Sequence, residues 1–344
     1  MPEAAPALPT IYIASLPSVY ARVLCDEARA ILSRFAKIER NLEERLLGDD
    51  EMSQRIAHAE GVIVGWPGQS NGLSRANIEA ATKLRIVGQL GQSVKRIDTA
   101  AVFERKLTLV NGPSAFADAV AEFTLAQMLS VRHRVHLHDR AMRAGTEAWG
   151  TRDGGALGRE LSRSVVGLIG LGWIGRRVAE LLRPFHVELL VFDPFATPEA
   201  ASAAGAVLVT LPELLSRCEV VSMHAGLTPQ TARMMGRKEF ETMKLDALFI
   251  NTGRGGLVDE DALIAHLRAH PSFTAALDVY ASEPLPADSP LRTMDNVLLS
   301  SHRSGHTVQS YEKMGVQLAQ DFQRFFANQP PVNVLTPEQL ARMS

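Results

Sequence analysis

At 344 residues the chain is too long for one small core, and two domains are the natural expectation. Hydrophobic residues at 46%, charged residues at 22% and a net charge of −2 describe an ordinary soluble globular protein and argue against nucleic-acid binding. Cys25 and Cys218 offer neither a disulfide framework nor a Cys-based zinc site, which fits a reducing cytoplasm; no signal peptide or bilayer-length apolar stretch is legible, so no membrane partner is expected.

Short β-branched runs alternate with helical patterns almost from end to end. The first series of expected strands is Ile11–Ser15, Gly61–Trp66, Leu84–Leu90 and Leu107–Asn111, with a helical pattern over Val19–Phe35. Between Ser114 and Arg143 lie about thirty residues with little to break a helix, rich in Ala, Leu, Met and Glu, which predicts one long helix or a kinked pair. His133, His136 and His138 fall there without a Cys or carboxylate set, so they read as a solvated or interface face and not as a metal site. A second series follows: Val165–Gly170, Val187–Asp193, Ala206–Val209, Val220–His224, Ala247–Thr252, Ala275–Tyr280 and Val297–Ser300. Helical patterns cover Ile174–Leu182, Asp259–His270 and Val308–Phe326. Strands alternating with helices of this length imply βαβ units, parallel sheets and two α/β domains.

The strongest local signal is the run from Val166 to Gly175. Gly170, Gly172 and Gly175 form G-x-G-x-x-G directly after an apolar strand and at the start of a helix. The first glycine permits a tight turn, the second lets backbone approach a pyrophosphate, and the third lets helix and strand pack closely. The helix N-terminus then offers N–H groups and positive dipole to that anion. Asp193 ends the next strand, where an acid is needed to receive a ribose hydroxyl pair. Pro194 and Phe195 follow it, with no Arg or Ser for a 2′-phosphate, which favours NAD over NADP. On this motif alone another nucleotide-like ligand, such as a methyl donor, stays open.

Redox chemistry on a 2-oxo acid needs a cation for the carboxylate and carbonyl, an acid for the forming alkoxide, and a group that tunes and aims that acid. One candidate for each stands at or past the end of a late strand. Arg254 follows Asn251-Thr-Gly, and its planar fork suits a carboxylate. Glu283 lies in Ala276-Leu-Asp-Val-Tyr-Ala-Ser-Glu-Pro, and His302 closes Asn296-Val-Leu-Leu-Ser-Ser-His. Singly, Glu283 and His302 would read as surface or turn residues; the joint pattern is what carries weight.

With these residues in view, the chain resembles the D-isomer-specific 2-hydroxyacid dehydrogenase family, which includes D-lactate, glyoxylate/hydroxypyruvate and D-3-phosphoglycerate dehydrogenases. The resemblance runs from about Leu84 to Thr307, with the blocks around Arg254, Glu283 and His302 in the family's order and spacing. It implies two Rossmann-like doubly wound domains, the cofactor domain inserted into a discontinuous, flavodoxin-like substrate domain. Residues 1–112 and 307–344 would form the substrate domain and 113–306 the NAD-binding domain, in a homodimer. It implies that Arg254 binds substrate, His302 exchanges the proton and Glu283 pairs with His302. Trp173 and Ile174 would take the phosphate-loop positions and Asp193 the ribose position. Thr252, Gly253, Asp278 and Gly305 would complete the cofactor site, and Gln92 and Ser93 would join Arg254 and His302 around the small 2-oxo or 2-hydroxy acid.

Several positions depart from the family pattern. Ser93 replaces a glycine in the carboxylate-gripping loop, and Lys95 and Arg96 replace an acidic/amide pair. Arg303 and His306 are polar groups near the catalytic His, and Gly226 stands where a Pro is usual. If some of these cations reach the substrate, they favour one with a second anionic or polyhydroxylated end. Phosphite oxidation on the same scaffold, and an NAD-binding regulatory or corepressor role, are the competing readings; Glu283 counts against formate oxidation, where a Gln is typical.

Overall fold

The computed structural model describes residues 7–66, 69–91, 93–147 and 157–340, and within it the chain divides into two compact units, residues 1–116 with 307–344, and residues 117–306. The first unit is built on five parallel strands, β1 (Thr10–Ile13), β2 (Lys37–Arg40), β3 (Gly61–Val64), β4 (Ile86–Gln89) and β5 (Thr108–Asn111), in the order β2-β1-β3-β4-β5. β3 and β4 are buried at every position, as expected for strands covered on both faces. The helix Val308–Phe326 brings the end of the chain back onto this sheet. Its Phe322 lies so close to Gly61 and Gly88 that a Cβ at either would come within 2.8 and 2.7 Å of the ring.

β2 is absent from the expected strands. It is an edge strand of sequence Lys-Ile-Glu-Arg with no buried position, so neither face carries the apolar signal that marks its neighbours. The single helix expected over Val19–Phe35 is two, Pro17–Val23 and Asp26–Ser33, because Leu24 leaves the helical region (φ −94°, ψ 78°).

The second unit carries seven parallel strands, β6 (Val165–Ile169), β7 (Glu188–Phe192), β8 (Val207–Leu208), β9 (Val220–Met223), β10 (Leu248–Asn251), β11 (Thr274–Leu277) and β12 (Val297–Leu299), in the order β12-β11-β10-β9-β6-β7-β8. The strand order reverses between β6 and β9, and open α/β sheets bind ligands outside the carboxyl ends of strands at such a point. Both the glycine turn and the ends of β10, β11 and β12 lie on that edge. The segment between the two series is a kinked pair of helices, Ala117–Arg132 and Val135–Ala144, broken where Arg134 adopts φ +57°. Among the described residues no helix is long and apolar enough to cross a membrane.

Candidate active site

β6 leaves the sheet through Gly170, whose φ of +103° suits glycine. A Cβ there would come within 2.8 Å of the His224 carbonyl and the Ala225 nitrogen, and one on Gly175 within 2.2 Å of the Gly170 oxygen. Gly172 faces open space and begins the helix Trp173–Leu182, which has no side-chain cap. Bare backbone, an uncapped helix start and open room form a cradle that fits a dinucleotide pyrophosphate.

Asp193 is fixed beside this cradle. Its Oδ2 accepts from the Leu171 backbone N–H and its Oδ1 from that of Phe195, both at 2.8 Å. The carboxylate therefore cannot swing away without leaving two N–H groups unmatched. Trp173 and Phe195, 64% and 71% exposed, are large apolar side chains open to solvent on the same loops.

His224 follows β9 on the far side of the turn. Its Nε2 is buried without a hydrogen-bond partner among the described residues, and burial pushes the imidazole pKa down to about 4. A histidine held neutral in the fold but free to protonate when unfolded stabilises the protein fully only above the unfolded pKa of about 6.5; that stability is lost as pH falls toward about 4. Between about pH 6.5 and pH 5 the loss should reach about 2 kcal/mol. Urea unfolding at the two pH values should show it, and His224→Gln should flatten the difference; an unchanged slope in the variant would assign the acid sensitivity elsewhere.

At the end of β10, Asn251 shapes the turn that presents Arg254. Its Oδ1 accepts from Gly253 N at 3.0 Å and its Nδ2 donates to the Arg254 carbonyl at 3.0 Å. Gly255 lies so close to the loop after β11 that a Cβ would come within 1.8 Å of the Tyr280 oxygen, so the two loops are stacked in contact. Arg254 is half-buried and donates one Nη1 bond, at 2.8 Å, to the Gly253 carbonyl. Burial pushes its pKa down and the charge of Glu283 opposes that. Thr252 is buried, its hydroxyl 3.1 Å from that of Thr124.

Glu283 and His302 meet. Nδ1 of His302 lies 2.7 Å from Oε2 of Glu283, whose other oxygen accepts from Tyr280 N at 3.1 Å. A carboxylate beside Nδ1 makes that nitrogen the donor and leaves Nε2 to exchange a proton. His302 adopts φ +54°, a costly conformation for a non-glycine residue that survives only when its surroundings over-determine it. Asp278 supplies this. Fully buried, its backbone oxygen accepts from His302 N at 2.8 Å, while its carboxylate accepts from Ser300 Oγ (2.6 Å), Arg303 N (2.8 Å) and Ser304 N (2.9 Å). Asn251 and Ser300 were not among the residues singled out in the sequence; their roles are bonds within folded turns that no spacing displays.

In the first unit, Ser93 is exposed at the exit of β4, and Gln92 lies outside the described residues. Arg96 donates from Nη1 to the Ser70 carbonyl at 2.9 Å, and Lys95 is exposed. Among the described residues no group of three or more His, Cys, Asp or Glu is placed to hold a metal ion. Of the three histidines His133, His136 and His138, His136 faces the Ser130 carbonyl at 3.3 Å, and burial pulls its pKa down.

Residues 125–304 match the family model described as the NAD-binding domain of D-isomer specific 2-hydroxyacid dehydrogenases. The chain is 32% identical over 290 residues to a D-3-phosphoglycerate dehydrogenase of Methanocaldococcus jannaschii, covering 84% of this chain and 54% of that one. It is 33% identical over 265 residues to a glyoxylate reductase of Aeropyrum pernix, covering 76% and 79%. It spans about half the length of the D-3-phosphoglycerate dehydrogenases it matches. D-mandelate dehydrogenase of Rhodotorula graminis superposes with a TM-score of 0.84 at 23% identity, over 96% of this chain and 98% of that one, a likeness of fold alone.

Proposed function

This chain belongs to the D-isomer specific 2-hydroxyacid dehydrogenase family, and from that premise we propose that it interconverts a D-2-hydroxy acid and its 2-oxo acid with NAD(H). The observation that carries the reading is the 2.7 Å pairing of His302 with Glu283 at the strand edge that also presents Arg254 and the glycine cradle. Bound nicotinamide would supply or accept the hydride at C2. Gly170, Gly172, Trp173, Ile174 and Gly175 would hold the pyrophosphate, Asp193 the adenosine ribose, and Thr252, Gly253, Asp278 and Gly305 would line the remainder of the cofactor site.

The chain's own residues perform the rest. Arg254 holds the substrate carboxylate and polarises the carbonyl with a charge only partly screened by water. His302, protonated, donates from Nε2 to the oxygen as it becomes an alkoxide, and Glu283 keeps the imidazolium aimed and stabilised. In the oxidative direction His302 accepts the hydroxyl proton. The free cysteines Cys25 and Cys218 fit a cytoplasmic enzyme.

A panel of 2-oxo acids with NADH and NADPH tests the reading. Oxidation of NADH by at least one acid is expected, with NADPH about tenfold or more less effective because the anchored Asp193 carboxylate repels a 2′-phosphate. Asp193→Ala should weaken NADH binding about tenfold in a fluorescence titration and narrow the preference. NADH oxidation by no member of the panel would sink the proposed activity; equal use of both cofactors would sink the specificity alone.

A further inference from the structure

Tyr280 follows the end of β11 and touches all three loops of the second unit that carry Arg254, Glu283 and His302. Its backbone N–H donates to Oε1 of Glu283 at 3.1 Å. Its carbonyl lies against Gly255, the residue after Arg254, where a Cβ would come within 1.8 Å of the oxygen. Its phenol hydroxyl lies 2.7 Å from the carbonyl of Ser300, just before His302 in the chain, and 3.1 Å from the carbonyl of Leu277. The ring is buried in the apolar cluster that holds Leu257 and Leu291, so the hydroxyl is the polar tip of an otherwise apolar side chain. Burial pushes the phenol pKa up to about 12, which keeps the hydroxyl protonated and donating near neutrality.

One proton faces two carbonyls unequally. The Leu277 oxygen already accepts Ser300 N at 2.9 Å, and the shorter of the two phenol contacts goes to Ser300. The Ser300 carbonyl stands just past Leu299, the last residue of β12, where the sheet no longer holds the chain. From there the backbone turns sharply. His302 takes φ +54° and its N–H donates to the Asp278 carbonyl at 2.8 Å. The phenol thus fixes the near end of this turn and Asp278 the far end, while the Tyr280 backbone fixes the carboxylate that the imidazole meets.

We propose that Tyr280 is a positioning residue for the proton transfer: its hydroxyl holds the Ser300 carbonyl and its N–H holds Glu283, so that His302 is aimed from both sides. The proposal rests on the 2-oxo acid activity argued above. A general acid must lie within hydrogen-bond reach of the atom it protonates, and a misplacement of about 1 Å can cost about 100-fold in rate. Tyr280 acts through His302 and Glu283, not on the substrate.

The test measures kcat, KM and NADH affinity in the wild type, Tyr280→Phe, His302→Gln and the double variant, with rates counted per NADH-binding site so that any misfolded fraction drops out. Phenylalanine keeps the buried ring and removes only the donor. Tyr280→Phe should lower kcat about tenfold with KM and NADH affinity within about twofold, and should enlarge the solvent deuterium isotope effect on kcat as the proton step slows. In the His302→Gln background the same substitution should change kcat by less than about twofold, because the group it aims is gone. A kcat within about twofold of wild type in Tyr280→Phe, or an equal fall in both backgrounds, would overturn the positioning role and leave the dehydrogenase reading standing. Turnover of no 2-oxo acid by wild-type protein that still binds NADH would overturn both.

Discussion

Replacing His302 by Gln should lower kcat by about 10²–10⁴-fold while NADH affinity stays within about twofold, the range that a positioned general acid contributes. Gln keeps a polar side chain of similar reach but cannot carry a proton to an alkoxide. The backbone consequence is small, because the φ of +54° at position 302 is enforced by Asp278 through main-chain N–H groups and not by the imidazole. A fall in rate without loss of cofactor binding therefore isolates the proton step. The measurement pairs single-turnover NADH oxidation with a fluorescence titration of NADH. A kcat within tenfold of wild type would remove His302 from the proton transfer, and NADH affinity lost in parallel would mean that the substitution disturbed the fold of the loop.

Much of this edge is legible in the sequence, for reasons that differ from residue to residue. The central strands β3, β4, β6, β9, β10 and β11 are covered on both faces, so they read as short apolar runs bounded by turns. Gly170 and Gly175 stand out because the turn leaves no room for a Cβ, a demand that only one residue type meets. β2 is not legible, since an edge strand is held by its backbone bonds to β1 and its side chains are free to be polar. Asp278 is visible as a polar residue in an apolar strand end, and the family resemblance puts it near the nicotinamide. Its bonds to Ser300, Arg303 and Ser304, more than twenty residues away, exist only once β11 and β12 are side by side. The bond from Arg96 Nη1 to the Ser70 carbonyl, twenty-six residues away, is likewise a product of the fold that no spacing in the sequence displays.

Arg254→Ala should reduce kcat/KM by about 10³-fold, divided between a higher KM and a lower kcat, because one guanidinium is asked to do two things. Its grip on the carboxylate is present in the bound ground state and appears in KM. Its pull on the carbonyl oxygen grows as negative charge develops and appears in kcat. Nη1 is tied to the Gly253 carbonyl, so the guanidinium is restrained before substrate arrives. Partial burial lowers the pKa of Arg254, yet a guanidinium starts so far above neutrality that it remains charged. Arg254→Lys separates charge from shape. A lysine keeps the cation but loses the planar pair of donors and the Gly253 tether's geometry, so it should recover part of KM and little of kcat. Recovery of kcat by lysine would show that field strength alone suffices at this position. A loss confined to KM in Arg254→Ala would place the polarising group elsewhere on the edge, and the division of labour between Arg254 and the His302–Glu283 pair would have to be redrawn.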